Sequence, residues 1–433
     1  MGAISMRLSP GDNRAGHEKL SRGGLRRTSL VGGTGIVASF SLVAYHATIG
    51  DSNTQAILKS SGVHLQMNDP RFTTWARTLV HYSTDVQPGE VVAITGGVAA
   101  EPLLRAIYRE VVLRGGYPVM IPVLSGLTPN LIATGSDDQL QWVTPIEQFV
   151  RGKADVMISV SAETNTKSSS EIDPTRQRMY DSARSELRQT YMRRAAEGTL
   201  RWSSTLFPTD SYAQDADMAT DDFTEFMFSA CKLDTPDPAA AWGELRDEQQ
   251  RLIDWLVDKS DVHISGPDTD LRLSIAGRTW INSDGHRNFP SGEIFTGPIE
   301  SSANGSIRFS YPVVTGGREI SDIRLTFVDG KVTDASASKN EEFLLSTLDT
   351  DTGARYLGEF AFGTNFGITR FTKNILLDEK IGGTVHMALG AGYPDSGSLN
   401  RSAIHWDVIC DVRTEGVVTV DGIPFLQNGS FLV

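Results

Sequence analysis

The sequence predicts an α/β protein, with an N-terminal parallel α/β domain followed by a mixed α+β domain whose sheet is largely antiparallel. Two observations carry this reading. From Asp69 to about Val160, buried-type apolar runs alternate with helical spacing and glycine turns; beyond Gly266-Pro267 the chain changes to short segments that alternate at period two. Three divisions follow: residues 1–66 as a leader or disordered extension, 67–266 as the N-terminal α/β domain, and 267–433 as a catalytic domain.

The elements can be justified in order. Residues 1–50 are rich in Gly, Ser and Arg, and Arg26-Arg27-Thr28-Ser29-Leu30 precedes a weakly apolar run from Val31 to Tyr45, the shape of a twin-arginine export signal. Gly32, Gly33 and Gly35 interrupt that run and it is too short to span a bilayer, so a cytoplasmic protein is expected and export is the minor alternative. Met67 is a further candidate start, because it opens the first clear amphipathic helix, through Phe72, Trp75, Ala76, Leu79 and Val80. A Pro88-Gly89 turn then leads to a strand at Val91–Thr95. Gly96-Gly97 starts a helix carrying Leu103, Leu104, Ile107 and Val111, and Gly115-Gly116 ends it before a strand at Pro118–Val123. Another strand covers Ala154–Val160, and a helix is expected from about Arg176 to Glu197. No GxGxxG pattern with a trailing acid accompanies these units, which favours a scaffold over a dinucleotide site. A helix over Glu244–Val257 closes this half. Beyond it, Asp270–Ile275, Ser306–Tyr311 and Asp322–Phe327 alternate as strands, and Asp329-Gly330 is a tight-turn signal.

Composition removes several function classes. The chain has 433 residues and a formal net charge of −13, with no basic block to follow a phosphate backbone, so nucleic acid is not expected as a partner. No stable membrane insertion is expected either. Cys231 and Cys410 are the two cysteines and lie outside any CxxC spacing, which argues against a disulfide framework and fits a reducing compartment.

Ala403–Asp411 points to chemistry. If extended, it sets His405 and Asp407 side by side on one face, with Ile404, Trp406 and Val408 on the other. An exposed edge strand is the plainer alternative. Glu293, Glu359, His386 and Tyr393 complete a set of ligand-type and hydroxyl residues in the same half. Imidazole and carboxylate suit zinc, cobalt or manganese, and five such ligands exceed what one tetrahedral ion needs, so two divalent ions are expected. Taken singly, Glu293 could be a turn acid, Glu359 a solvated carboxylate and His386 a core histidine.

The motifs DTDL, NFPSGEIFTGP, ARYLGEFAFGTN, TKNILLDEKIGGTVH and AIHWD, in this order from Asp268, resemble those of the metal-dependent aminopeptidases of the thermophilic aminopeptidase T and S type, related to aminopeptidase PepS. VQPGEVVAI and EFMFSACKLD extend the resemblance into the first half, so that it runs from about Met67 to Val433. It implies that Glu293, Glu359, His386, His405 and Asp407 hold two metal ions, that Tyr393 is an active-site hydroxyl, and that the protein is a homodimer acting on peptides with a free N-terminus. Two cations would lower the pKa of water from 15.7 to about 7 and polarise the scissile carbonyl. A metal-bound α-amine would then restrict cleavage to the first residue. Glu293 and Glu359 are the candidates for general base. Arg355, Arg370 and Lys373 could equally support the scaffold. A metallohydrolase for another amide or ester, or a metal-free ligand-binding module, are the competing functions.

Overall fold

The computed structural model describes residues 69–433 apart from Gly316. The leader, the Arg26-Arg27 signal and the Met67 start therefore lie outside the described residues. The first helix covers Pro70–Arg77, capped by the Asp69 carboxylate, which accepts from the Arg71 amide at 2.8 Å. It widens into a further turn over Thr78–Ser83, and this segment buries Phe72, Trp75, Leu79 and Val80.

Four strands with helices between them follow: β1 (Val91–Gly97), β2 (Tyr117–Val123), β3 (Val156–Ser161) and β4 (Arg201–Leu206). After the long helix Pro238–Leu256 come β5 (Asp261–Gly266), β6 (Thr269–Ser274), β7 (Ile281–Ser283), β8 (Asn288–Phe289) and β9 (Glu293–Thr296). Next are β10 (Asn304–Phe309), β11 (Val313–Thr315), β12 (Arg318–Ile320), β13 (Ile323–Val328) and β14 (Lys331–Ser336). The chain ends with β15 (Leu357–Gly363), β16 (Val385–Gly390), β17 (His405–Cys410), β18 (Val417–Val420), β19 (Ile423–Gln427) and β20 (Ser430–Phe431).

The expected mixture of sheets is observed. A five-stranded sheet in the order β2-β1-β3-β4-β8 is parallel throughout, which requires crossover connections, and helices supply them between its first four strands. An eight-stranded sheet, β14-β13-β10-β6-β5-β18-β19-β20, and a five-stranded sheet, β17-β16-β15-β9-β7, are antiparallel. The turn at Asp329-Gly330 joins β13 to β14 as the sequence predicts.

The segment read as one helix from Arg176 to Glu197 is instead two, Pro174–Ala183 and Ser185–Ala196. They break at Arg184, whose guanidinium donates to the Leu140 and Trp142 carbonyls and pairs with Glu147 at 2.7 Å. That tether is tertiary and invisible to local periodicity. The helix expected from Glu244 begins earlier, at Pro238, where the Asp237 carboxylate caps the Ala240 amide.

The two antiparallel sheets share one apolar core. Val262, Leu271, Ile307 and Leu325 come from the larger sheet, and Phe360, Phe362, Met387 and Trp406 from the smaller. Each such side chain, once buried, contributes about 1.5–3 kcal/mol. The smaller sheet thus spends one face on the core and keeps the other for the site.

Candidate metal centre

Neighbouring strands of the smaller sheet each bring one or two ligand-type residues. Register decides where they point. In β15/β16 Ala361 lies opposite His386 and Glu359 opposite Ala388; in β16/β17 Ala388 lies opposite Asp407 and Gly390 opposite His405; β9 adds Glu293 opposite Gly363. Directly paired residues and their i, i+2 neighbours share a face, so Glu293, Glu359, His386, His405 and Asp407 all emerge on one side. Ala361, Ala388, Gly363 and Gly390 lie between them and leave the space open. Ile294, Phe360, Phe362, Met387, Trp406 and Val408 occupy the opposite face and lock the strands into the core.

One irregularity makes this arrangement possible. Leu357 and Glu359 are two residues apart and would share a face in a regular strand, yet Leu357 is in the core. A bulge between them, with two residues of β15 opposing one step of β16, reverses the alternation. Gly358 sits in the bulge because a Cβ there would lie 2.3 Å from the Gly390 carbonyl oxygen.

The side chains converge. His386 Nε2 lies 3.3 Å from Glu293 and 3.4 Å from Glu359; His405 Nε2 lies 3.6 Å from Glu359 and 3.5 Å from Asp407. His405 Nδ1 is 2.7 Å from the Ala391 carbonyl, which can only accept, so Nδ1 carries a proton and Nε2 is the ring nitrogen that faces the site. Backbone anchors hold the frame. The buried Asn365 amide donates to the carbonyls of Ser291 at 2.8 Å and Ala230 at 3.0 Å, and Gln249 of the long helix donates to the carbonyls of Ser283 and Glu293.

Two residues that the sequence reading passed over belong to this cluster. Glu379 joins His386 and Asp407 in a third potential ligand group, and the fully buried Lys380 ammonium contacts Glu379 and lies 3.4 Å from Glu293. The only local signal was a charged Asp378-Glu379-Lys380 run among Leu376, Leu377 and Ile381. Asp378 has a different role, accepting from the Thr372 amide at 2.7 Å and hydroxyl at 2.8 Å, and burial pushes its pKa up to about 8. Burial also raises Glu379, assisted by Glu293 and Asp407 against the pull of Lys380. Burial alone would raise Glu293, but Lys380 and His386 overcome it and hold this carboxyl well below its usual range. For His386, burial opposes protonation, while Glu293 and Glu359 outweigh it and raise the pKa.

Tyr393 stands at the rim, its ring 5.5 Å from Phe295 and 5.3 Å from His405, and it is 37% exposed. Burial of its hydroxyl and the nearby Glu359 and Asp407 carboxylates raise its pKa. Arg355 pairs with Asp349 and donates to the Val332 carbonyl, and Lys373 lies 3.7 Å from Asp217, so both support the scaffold; Arg370 is exposed. The site opens into a cavity of about 410 Å³ that also includes Trp202, Ile281, Arg287, Ile375 and Leu376. A cavity of about 530 Å³ between the helix Glu101–Leu113 and β2 is lined mostly by apolar groups and offers no comparable ligand set.

The donor set fits a cation. Glu359 Oε2 and both ring nitrogens of His386 are buried without a hydrogen-bond partner among the described residues, although buried polar atoms ordinarily have one. Glu293–Glu359–His386 and Glu359–His405–Asp407 each bring three ligand atoms within 4.8 Å of one another. Such a cluster, on the open face of a mixed α/β frame, defines a metalloenzyme-type centre. Residues 68–431 match the thermophilic metalloprotease (M29) family, and the chain belongs to it.

Relatives agree with this assignment. The chain is 27% identical to Aminopeptidase 2 of Geobacillus stearothermophilus over 415 residues, 82% of this chain and 96% of that one. It is 29% identical to Aminopeptidase PepS of Streptococcus thermophilus over 277 residues, 55% of this chain and 65% of the other. Its fold matches that of AmpT from Thermus thermophilus with a TM-score of 0.73 at 22% identity, over 84% of this chain and 99% of that one. A 2,5-dihydroxypyridine dioxygenase from Pseudomonas putida also matches, with a TM-score of 0.50 at 12% identity over 84% and 97% of the two chains. The fold alone therefore leaves the reaction open, and the site has to supply it.

Proposed function

We propose that the protein is an aminopeptidase that removes the first residue from peptides with a free N-terminus, with Glu293, Glu359, His386, His405 and Asp407 holding two divalent ions. The observation that carries this reading is the position of Glu359: its carboxylate belongs to both three-residue ligand groups and faces both imidazoles, as a bridge between two ions would. Neutral imidazole and carboxylate donors suit zinc, cobalt or manganese. When bound, the ions supply Lewis acidity that makes water a usable nucleophile near neutral pH and polarises the scissile carbonyl.

The chain's own groups do the rest. In this reading the proton of the attacking water goes to Glu293, which belongs to a single ligand group, because Glu359 would be committed to both ions. On the same reading the Tyr393 hydroxyl, at the rim beside His405, donates to the oxyanion; removing a comparable donor commonly costs about 10²–10³ in rate. The metal-holding floor, in this reading, receives the α-amine, and Phe295 and Ile375 line the cavity beside it. Our reading further includes a homodimer in a reducing compartment, consistent with both cysteines being free and buried. Among the described residues, no helix is long and apolar enough to cross a membrane.

Metal analysis combined with hydrolysis of an aminoacyl chromogenic substrate before and after chelation tests the proposal. It predicts two divalent ions per chain and activity that disappears with them. Chelator-insensitive hydrolysis, or no hydrolysis of any free-amine substrate by metal-loaded protein, overturns it. An N-acetylated peptide should resist cleavage while its free-amine counterpart is trimmed; equal rates would point to a different amide hydrolase.

A further inference from the structure

The cavity is lined by two chemically different sets of residues. One is the ligand cluster of the antiparallel sheet, rich in carboxylates. The other is formed where the parallel sheet reaches the cavity, through Trp202 on β4 and Arg287 just before β8. The Arg287 carbonyl accepts from the Ser204 amide at 2.9 Å, which ties its backbone to β4 two residues from Trp202. Its side chain is exposed, and no acidic side chain among the described residues pairs with it. Nearby arginines are engaged: Arg246 pairs with Asp247 and Arg278 with Glu300, each at 2.7–2.8 Å. Asp284, the nearest acid in the same loop that lines the cavity, is occupied by His286 at 2.7 Å. Among the described residues Arg287 thus has no acidic partner, and it lines a cavity that also contains the acidic ligand cluster.

Building on the aminopeptidase reading, we propose that Arg287 binds the C-terminal carboxylate of the substrate, which makes the enzyme selective for di- and tripeptides. A short peptide zwitterion has the matching polarity, with its amine at the carboxylate-rich cluster and its carboxylate at the guanidinium. The spacing agrees. Ser283 is the register partner of Glu293, and Arg287 follows it by four residues through the turn at Gly285, where φ is +97°. Four residues reach at most about 14 Å, while an extended dipeptide spans about 7 Å and a tripeptide about 10 Å. A carboxylate is well suited to this group, because the planar guanidinium can donate two parallel N–H bonds to its two oxygens. A volume of about 410 Å³ lies in the range of small-ligand sites and suits a short peptide.

The test compares leucyl-alanine with leucyl-alaninamide, and the same pair for a five-residue peptide, on the metal-loaded full chain. For the wild type, amidation of the dipeptide should lower kcat/KM about tenfold, chiefly through KM, as expected for loss of a charge-assisted hydrogen-bonded contact. The five-residue acid and amide should be cleaved alike, because their termini extend beyond Arg287. Arg287→Met should bring the dipeptide acid-to-amide ratio close to one, and Arg287→Lys should restore part of it. A wild-type dipeptide ratio of one overturns the proposal whatever the variants do, as does an Arg287→Met enzyme that still discriminates or a five-residue pair that discriminates equally. Hydrolysis of neither dipeptide would instead remove the aminopeptidase reading itself.

Discussion

At the scale of single residues, His405 and Lys380 mark the extremes of what the site demands. His405 is partly open to the cavity and contributes no core packing, so His405→Ala should lower activity by about 10²-fold or more while leaving stability within about 1 kcal/mol. A parallel collapse of the melting temperature would show that the ring is structural instead. Lys380 is fully buried against Glu293 and Glu379. Removing one partner of a buried ion pair strands the others, so Lys380→Met should cost about 3–5 kcal/mol in denaturant unfolding measured under chelation. A variant as stable as the wild type would contradict this account. His405 and Asp407 were legible because their period-two spacing puts them on one face wherever the strand lies. Glu379 and Lys380 were not, because they follow a four-residue helix and enter the site through a turn that no periodicity describes.

At the scale of elements, the smaller antiparallel sheet depends on its bulge and on the loop that enters β17. Gly358→Ala would push a methyl group onto the Gly390 carbonyl, and overpacking of this kind should cost about 1–3 kcal/mol and weaken metal retention together, measured by melting and by metal analysis after gel filtration. Loss of stability with full retention of metal would separate the bulge from the site. The entering loop is held by Asp351, which accepts from the Ala403, Gly353 and Ala354 amides and from the Ser402 hydroxyl. The Ala403 amide, the largest influence, holds the Asp351 pKa below its ordinary 3.8. With the folded value depressed, the stabilisation is complete above pH 3.8 and is lost as pH falls through the folded value. Asp351→Asn should therefore be less stable than the wild type at neutral pH, with a gap that narrows toward about pH 3. A gap independent of pH would refute the assignment. Of the strands in this half, β6, β10, β13 and β17 were readable from alternation; β9, β15 and β16, buried along their whole length, were not, nor was the reversal at Leu357–Glu359, since only the partner strand reveals it.

At the scale of the whole molecule, Glu293, Glu359, Glu379 and Asp407 converge on one site, and their mutual repulsion has to be offset by Lys380, the imidazoles and, in our reading, bound cations. Binding that favours the folded state adds about 2.7 kcal/mol at a ligand concentration of 100 Kd, so chelation should lower the melting temperature by about 3 °C per ion and readdition of a divalent ion should restore it. An unchanged melting curve would exclude a resident ion at this centre. The overall plan was legible, because alternating strand–helix units imply a parallel sheet and period-two segments an antiparallel one. Strand order was not. β8 is only two residues long, Asn288–Phe289, yet it extends the parallel sheet from far along the chain and so delivers Arg287 to the cavity; no local pattern announces such a strand.

The bulge at Gly358 also bears on how chains of this kind can change length. Adding or deleting one residue between Leu357 and Glu359 would turn Glu359 toward the core, so that interval tolerates no insertion. The loop from Ala391 to Ile404 is pinned at both ends, Ala391 to His405, and Asn400 to Ala403 to Gly390 and Asp351, so only the middle, between Tyr393 and Asn400, can lengthen or shorten while His405 still meets Gly390. Evolution can therefore remodel the mouth of the pocket through insertions and deletions while its floor keeps a fixed residue count.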